Sequence, residues 1–257
     1  MSLVIYHTQD RIGYITLNRP EKRNALSHEM VSELKEKFLQ AENDKDAKVI
    51  VLKANGEAFC AGADLAYLQQ LQNFSFEQNL ADSNHLKELF VQIYQLKKVV
   101  IAQVHGHALA GGCGLATICD FVFAVPEAKF GYTEVKIGFI PALVSVFLLK
   151  KIGEQKAKYL LLSGDLLLGE DLIRYGLANY LVSKDELESK VSSFAKRLIK
   201  NNSGQSMALT KRMIADVQSM PLAEALAYAA ELNALSRGSE DCKNGIAAFL
   251  NKEELKW

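Results

Sequence analysis

A cluster of glycines directly after an apolar segment constrains this chain more than any other feature. Residues 99–104 predict a buried strand, and the glycines at 106, 111, 112 and 114 can expose bare backbone N–H groups at the start of a short helix. Such donors suit an oxyanion. Glu134 follows about one strand later and would bring a carboxyl group from the next structural layer. An oxyanion site beside a carboxylate is the minimum apparatus for moving protons next to a carbonyl group.

The same glycines invite two nucleotide-binding interpretations, and the spacing argues against both. A phosphate-binding loop needs Lys and then Ser or Thr after its second glycine, but Gly112 and Cys113 stand there. A dinucleotide fold needs a third glycine where this chain has Thr117. Only residues 115–119 separate the glycines from the next predicted strand at 120–124, which is too short for a conventional strand-helix-strand crossover.

Composition indicates an ordinary globular protein. The 257 residues are 49% hydrophobic and 23% charged, with 30 basic and 30 acidic side chains. Because these charges cancel, we expect neither nucleic acid nor an anionic membrane as a bulk partner. No signal-peptide pattern opens the sequence, and no segment approaches the roughly 18 apolar residues of a membrane span. We therefore expect a cytoplasmic protein with no membrane association.

Cysteine and histidine spacing gives no sign of a metal site. The chain has four cysteines: Cys60, Cys113, Cys119 and Cys242. None is paired as C-x-x-C, and His105 and His107 have no third ligand at a recognised spacing, so we expect no metal and no disulfide framework. Cys60 and Cys113 have no partner histidine in a recognised motif either, which disfavours a thiolate nucleophile.

Hydrophobic periodicity predicts a repeated strand-strand-helix organisation. Residues 4–8 and 11–17 alternate as a hairpin, and an amphipathic helix capped by Ser27 leads to a strand at 49–52. A long helix at 76–97 and the strand at 99–104 repeat the pattern. Further helices are predicted at 142–152, 154–162, 170–175, 184–200, 206–217, 222–236 and 240–250.

No low-complexity linker divides the chain, so we expect one domain with a core at 1–195 and a dependent C-terminal helical region at 196–257. An apolar stripe runs along the penultimate helix through Ala223, Leu226, Ala227, Ala230 and Leu235. The stripe fits either core packing or a subunit interface. We favour the interface, because burial by preceding structure is hardest at the chain end.

Six segments, in their order and spacing, resemble the enoyl-CoA hydratase/isomerase, or crotonase, family. They are residues 18–26, 58–65, 107–115, 119–120, 128–134, and 239–241 with 248–249. The resemblance implies an α/β fold, a crotonase-like spiral of repeated ββα units. It also implies C-terminal helices that build a homotrimer or a homohexamer.

The resemblance implies that the amides of Ala63 and Gly111 form an oxyanion hole for the oxygen of an acyl thioester. Two such donors stabilise an enolate, and losing one commonly lowers the rate about a hundredfold to a thousandfold. The alternative is that the neighbouring glycines merely form tight turns. Both turns stand where the family has its oxyanion-hole donors, and this favours the oxyanion hole.

Eight positions match coenzyme A-binding positions of the family. They are Lys22, Arg23, Ala25, Ala61, Asp64, Leu65, Phe249 and Lys252. Phe249 and Lys252 correspond to residues that, in many relatives, reach coenzyme A on a neighbouring subunit. Taken alone, the three basic residues also fit solvated surface charges, and Asp64 fits a helix N-cap.

Glu134 matches the second of two glutamates that serve the family's hydratases as general acid and base. Gly114 stands where the first glutamate is expected, so a two-carboxylate hydration site is incomplete. One carboxylate beside an enolate-stabilising pocket can still take a proton from one carbon and return it to another, as in the family's isomerases. The segment 142–144 also departs from the family, because it replaces the usual glycines.

The resemblance thus implies an enzyme acting on an unsaturated acyl-CoA in fatty or branched-chain acid metabolism. Isomerisation, favoured by Gly114, and hydration, favoured by the general match, remain open. Acyl-CoA hydrolysis or decarboxylation in the same hole, and a non-catalytic acyl-CoA-binding scaffold, are further alternatives. No separate cofactor is expected, because coenzyme A is part of the substrate.

Overall fold

Short apolar stretches form the central sheet of this mixed α/β fold. The computed structural model describes residues 2–255 and 257. The strands are Val4–Gln9 (β1), Ile12–Leu17 (β2), Val49–Ala54 (β3), Val99–Val104 (β4), Ala108–Leu109 (β5), Phe121–Ala124 (β6), Phe130–Gly131 (β7) and Tyr180–Leu181 (β8). The helices are His28–Asn43 (α1), Leu65–Leu71 (α2), Phe76–Gln95 (α3), Gly111–Thr117 (α4), Ala142–Ile152 (α5), Glu154–Ser163 (α6), Glu170–Tyr175 (α7), Leu187–Asn201 (α8), Gly204–Val217 (α9), Leu222–Arg237 (α10) and Glu240–Asn251 (α11).

The main sheet has the strand order β1-β2-β3-β4-β6-β8. Strands β1 and β2 form the antiparallel hairpin that the sequence predicts, and every later pairing in this sheet is parallel. All six residues of β4 are buried. A near-continuous apolar strand of this kind is typical of a parallel sheet covered on both faces.

A second ladder runs beside the main sheet and links successive turns of the chain. The two-residue strands β5 and β7 pair in parallel. Isolated bridges extend this ladder from Leu26 to Ala63, from Cys60 to Ala108, and from Phe130 to Leu167. The turns therefore stack in chain order, which confirms the expected spiral. Ala63 and the glycines of α4 lie on consecutive turns.

Helix boundaries follow the capping signals in the sequence. The Ser27 side chain accepts a hydrogen bond from the Met30 amide at 3.3 Å and begins α1, as predicted. Helices α5 and α7 have their predicted bounds, and the other predicted helices shift by at most a few residues at either end. The helix α2 is missing from the sequence prediction. It contains no buried residue, although Leu65, Leu68 and Leu71 recur at helical spacing after the N-cap Asp64.

The connection between β4 and β6 corrects one expectation. Residues 105–120 form a crossover that places β6 beside β4 in parallel. The short spacing between the glycines and residue 120 predicts no such crossover, but α4 begins at Gly111, inside the glycine run. Exclusion of a strand-helix-strand connection was therefore wrong. The predicted division between residues 195 and 196 falls inside α8, whose buried Ala195 and Ile199 contribute to the core.

The histidines that follow β4 bond to backbone groups. His105 Nε2 lies 2.8 Å from the Gly56 carbonyl oxygen, and His107 Nδ1 accepts a bond from the Lys129 amide at 3.2 Å. In residues 2–255 and 257, no group of three metal-ligating side chains is close enough to share an ion. No helix of that part of the chain combines the length and apolarity needed to cross a membrane.

Candidate active site

Two backbone amides with no protein acceptor lie on adjacent turns of the spiral. Ala63 lies between Gly62 and the residue that caps α2, and Gly111 is the first residue of α4. Within the described residues, neither the Ala63 amide nor the Gly111 amide donates to a protein oxygen. Unpaired donors at accessible loop positions are available to an oxyanion. The predicted hole therefore has both of its donors free.

Direct backbone contacts hold these two loops together. The Leu109 amide donates to the Cys60 carbonyl at 3.0 Å. A Cβ atom at Gly112 would stand only 2.3 Å from that same carbonyl oxygen, so a side chain has no room there. Gly62 has φ +91, a conformation that L side chains rarely adopt. These glycines allow the loops to approach more closely than side chains would permit.

Ala110 carries backbone strain immediately before the Gly111 amide. Its φ of 51 and ψ of −125 are unusual for a residue with a side chain, and such strain costs about 1–3 kcal/mol. The Ala110 amide donates to the Gly131 carbonyl at 2.7 Å, and its carbonyl accepts from the Gly114 amide at 3.0 Å. Both ends of this residue are thus fixed, and they set the direction of the following N–H.

Glu134 opens a short 3-10 turn at residues 134–137, after β7. Its Oε2 atom is buried and has no hydrogen-bond partner among the described residues. Burial raises the pKa of the carboxyl group above its ordinary value of 4.5, opposed only by a bond from its own amide. A carboxyl group that is not committed to an ion pair, with raised proton affinity, suits general acid and base catalysis.

Gly114 is a packing glycine in the interior of α4. A Cβ atom there would lie 2.3 Å from Val144 Cγ1 and 3.1 Å from Phe90 Cε1. Both neighbours are buried hydrocarbon. The glycine does not have a left-handed conformation, so its backbone would tolerate a side chain while its neighbours would not. Hydrocarbon thus takes the space into which a residue-114 side chain would have to extend.

Asp64 has the structural role that the sequence offered as an alternative. Its Oδ1 accepts from the amides of Ala66 at 2.9 Å and Tyr67 at 3.2 Å, which caps α2. Its Oδ2 lies 2.9 Å from Arg19 Nη1. Burial raises the pKa of Asp64, but the two amides and the guanidinium outweigh it and lower the pKa overall. One oxygen of the carboxylate thus caps α2, and the other is ion-paired with Arg19.

The N-terminal loop contacts the loop that carries Ala63 through backbone hydrogen bonds. The Ala61 amide donates to the Arg23 carbonyl at 3.0 Å, and the Ala25 amide donates to the Lys22 carbonyl at 3.0 Å. Lys22 and Arg23 are exposed, whereas Ala25 is 6% exposed and offers only backbone. Leu65, at the start of α2, is exposed.

Sequence reasoning missed Asn24 as the residue that shapes this loop. Its side chain is fully buried and donates to the carbonyls of Asn55 at 2.8 Å and Ala58 at 2.9 Å. It also has φ 54, which Asn tolerates better than most residues. The one sequence signal of this role was the presence of an Asn in a loop of charged residues.

Phe249 and Lys252 lie at the end of α11, and Phe249 is 82% exposed. No hydrogen bond or ion pair joins either side chain to the loops of Ala63 and Gly111 in the part of the chain that the structure describes. Their assignment to a neighbouring subunit's ligand stays a prediction.

The buried thiols next to the hole are poor nucleophiles. Burial raises the pKa of Cys60 to about 12 and that of Cys113 to about 12. A thiolate is the reactive form of cysteine, and so high a pKa leaves almost none of it at neutral pH.

Known proteins match this chain along its whole length. The family described as enoyl-CoA hydratase/isomerase matches residues 7–257. A Thermus thermophilus protein, whose name assigns it provisionally to the enoyl-CoA hydratases, is 40% identical over 241 residues, covering 94% of this chain and 95% of the relative. The crotonyl-CoA hydratase of Syntrophomonas wolfei is 31% identical over 257 residues, covering 99% and 97%. The crystal structure of an enoyl-CoA hydratase from Shewanella pealeana superimposes with TM-score 0.93 at 28% identity, covering 99% of this chain and 96% of that one.

Proposed function

The chain belongs to the enoyl-CoA hydratase/isomerase family, and we propose that it moves protons on the thioester enolate of an unsaturated acyl-CoA. The Ala63 and Gly111 amides would hold the enolate oxygen, and Glu134 would be the proton-transfer group. The observation that carries this proposal is the pairing of two unpaired amides with one buried, unpaired carboxyl group. The two N–H dipoles are fixed in place and would stabilise the negative charge that develops on the thioester oxygen.

We favour double-bond isomerisation as the reaction. The Glu134 carboxylate takes a proton from C2 of a 3-enoyl thioester, and the electron pair of the C–H bond becomes part of a dienolate. The resulting carboxylic acid then returns the proton to C4. The double bond moves from C3–C4 to C2–C3, and no atom is gained or lost. Gly114 supports this choice, because it supplies no second carboxylate to hold water, and Val144 and Phe90 surround it with hydrocarbon.

Hydration is the second candidate, and the names of the relatives favour it. In hydration the oxygen of water bonds to C3 and a proton reaches C2, so the product gains one water. A site with one carboxylate would need another group to position that water. Backbone groups near the hole are the available candidates.

The exposed basic residues Lys22 and Arg23 suit the phosphates of coenzyme A on the same chain. Phe249 and Lys252 would serve a neighbouring subunit, which requires a trimer or a dimer of trimers. No metal takes part in the proposed proton transfer, and coenzyme A enters as part of the substrate. A cytoplasmic location and a place in fatty or branched-chain acid metabolism stay predictions from the sequence.

A panel of 2-enoyl, 3-enoyl and saturated acyl-CoA thioesters, analysed by product mass and by chromatographic retention, tests this proposal. Isomerisation changes retention at constant mass, whereas hydration adds the mass of one water. We expect isomerised product from 3-enoyl substrates and undiminished turnover in the presence of a chelator. If every thioester is returned unchanged, the proposal is wrong. Chelator inhibition that a divalent metal reverses would also contradict it.

A further inference from the structure

Among the described residues, the Glu134 carboxyl group bonds only to its own backbone amide. In the described residues, no side chain of another residue hydrogen-bonds to it, and its Oε2 is buried without a partner. Two backbone bonds fix the chain before and after it. The Gly131 carbonyl accepts from the Ala110 amide, and the Glu134 carbonyl accepts from the Phe139 amide at 3.0 Å. The direction of the side chain must therefore come from the residues between these points.

Tyr132 supplies a polar link from this segment to α4. Its side chain is completely buried, and its hydroxyl oxygen lies 3.0 Å from Thr117 Oγ1. The Tyr132 side chain also meets the Cys113 thiol of α4, so the segment 130–137 is tied to this helix at two of its residues. Thr117 ends the same helix whose first residue, Gly111, provides a donor of the hole.

The hydrogens available on the Thr117 and Tyr132 hydroxyl groups determine which of the two donates. The Thr117 hydroxyl has one hydrogen, which points back to the Cys113 carbonyl at 2.9 Å and more distantly to the Gly114 carbonyl at 3.3 Å. The Tyr132 hydroxyl must then donate to Thr117 Oγ1. The interaction thus depends on both hydroxyl groups, and it spans the two segments that carry the reacting parts of the site.

We propose that Tyr132, through its bond to Thr117, is a positioning residue that aims Glu134 at the acyl carbon held beside Gly111. This inference rests on the proposed function, in which Glu134 moves the proton. A buried neutral hydrogen bond contributes only about 1 kcal/mol to stability. Misplacing a reacting group by about 1 Å can cost a hundredfold in rate. The rate should therefore suffer more than the fold when the bond is removed.

The charge environment of Glu134 lets its titration report its position. The titratable groups near it are Cys113 from α4 and Tyr132 from its own segment. Burial keeps both groups neutral, because it raises the pKa of Cys113 to about 12 and the pKa of Tyr132 well above its ordinary range. A carboxyl group released from its buried position would gain hydration. Its pKa, and with it the acidic limb of the pH profile, would fall.

Kinetics of Tyr132→Phe test the proposal, with Tyr6→Phe as the matched control. Tyr6 donates to Asp44 Oδ2 at 2.6 Å on the edge strand β1, away from the hole. We expect Tyr132→Phe to lower kcat about tenfold with KM changed less than about twofold, and to shift the acidic limb of kcat/KM to lower pH. Tyr6→Phe should lower Tm and leave kinetics alone. Thr117→Val should reproduce the defect, and Thr117→Ser should recover most of it.

Glu134→Gln, measured on the same substrate, separates failure of this inference from failure of the proposed function. If Glu134→Gln is inactive while Tyr132→Phe keeps the wild-type kcat and pH profile, the link is only structural and the inference is overturned. If Glu134→Gln is as active as wild type, the proposed function itself is overturned. Should Tyr132→Phe not fold, the comparison of Thr117→Val with Thr117→Ser gives the same decision.

Discussion

At the scale of single residues, burial gives Glu134 its chemistry and costs the fold stability. Burial raises the pKa of this carboxyl above 4.5, so the folded protein holds the proton more tightly than the unfolded chain does. The contribution of the group to stability is therefore fully present below pH 4.5. It is lost as the pH rises through the folded-state pKa. The group therefore lowers the free energy of unfolding at neutral pH.

The first prediction follows from this loss of stability with rising pH. Glu134→Gln should have a higher Tm than wild type at pH 7, because it replaces a buried charge with a neutral amide of similar shape. The difference should vanish below pH 4.5, where both side chains are neutral. Thermal unfolding at several pH values measures this. Glu127→Gln is the matched control, because Glu127 is an exposed glutamate of the same region. A Glu134→Gln protein less stable than wild type at pH 7 would contradict the assignment.

The sequence identified these residues by type and not by environment. The motifs suggested Ala63, Gly111 and Glu134 for the site, and the structure adds that both amides and Oε2 have no partner in residues 2–255 and 257. Asn24 escaped notice because its role depends on carbonyls at residues 55 and 58, more than thirty residues away. Local patterns carry no information on such contacts.

Among the secondary-structure elements, two loops approach closely at the proposed oxyanion hole. Gly111 and Gly112 are neighbours with opposite tolerance for a side chain. A Cβ at Gly111 would meet only Leu26 Cδ1 at 3.2 Å, whereas a Cβ at Gly112 would meet the Cys60 carbonyl oxygen at 2.3 Å. The first contact involves a side-chain methyl group that can move. The second involves backbone that positions the Ala63 loop.

The second prediction compares these two glycines. Gly111→Ala keeps its amide and should retain most activity and stability. Gly112→Ala should force the loops apart, lower stability by about 1–3 kcal/mol and lower turnover about a hundredfold to a thousandfold. Denaturant unfolding and steady-state kinetics of the two variants measure both effects. Equal behaviour of the pair would show that loop contact does not build the hole.

The third prediction concerns the packing of α4 against α5. Gly114→Glu alone should destabilise the protein, because its Cβ would overlap Val144 Cγ1. Combining it with Val144→Ala removes that atom, so the double variant should be more stable than the sum of the single changes predicts. If a missing carboxylate disfavours hydration, the double variant should also raise the ratio of hydrated to isomerised product. Val144→Ala is the control, and additive stabilities would refute the packing argument.

Element boundaries were predictable where capping and periodicity act locally. Ser27 predicts the start of α1, and the apolar run 99–104 predicts β4. The exposed helix α2 has a capping signal at Asp64 but no buried face, and the two-residue strand β5 has neither signal. Helix α2 buries no side chain, and β5 is fixed by its partner β7, whose position follows from the fold.

At the scale of the whole molecule, the C-terminal helices present more apolar surface than one chain covers. Helix α10 has no buried residue, and its Leu222, Leu226 and Leu235 are 77%, 63% and 65% exposed. Phe249 on α11 is exposed as well. Large exposed apolar surfaces mark interaction sites. The sequence placed the apolar stripe on this helix, and the fold of one chain leaves it uncovered.

The fourth prediction is that the protein forms a trimer or a dimer of trimers at micromolar concentration. Light scattering measures this directly. Lys252→Gln should weaken coenzyme A binding if Lys252 reaches a ligand on the neighbouring subunit, whereas Lys243→Gln, on an exposed lysine of the same helix, should not. A monomer would remove the basis for assigning Phe249 and Lys252 to the ligand.

In the proposed mechanism, Glu134 alone moves a proton on an enolate held by Ala63 and Gly111. Exchange of the C2 hydrogens of a bound acyl-CoA with deuterated solvent, followed by mass spectrometry, tests it without regard to which product forms. Wild-type protein should catalyse the exchange. Glu134→Gln should bind coenzyme A normally and slow the exchange by about a hundredfold to ten-thousandfold, the usual range for a general acid or base. Exchange at the wild-type rate in Glu134→Gln would contradict the account.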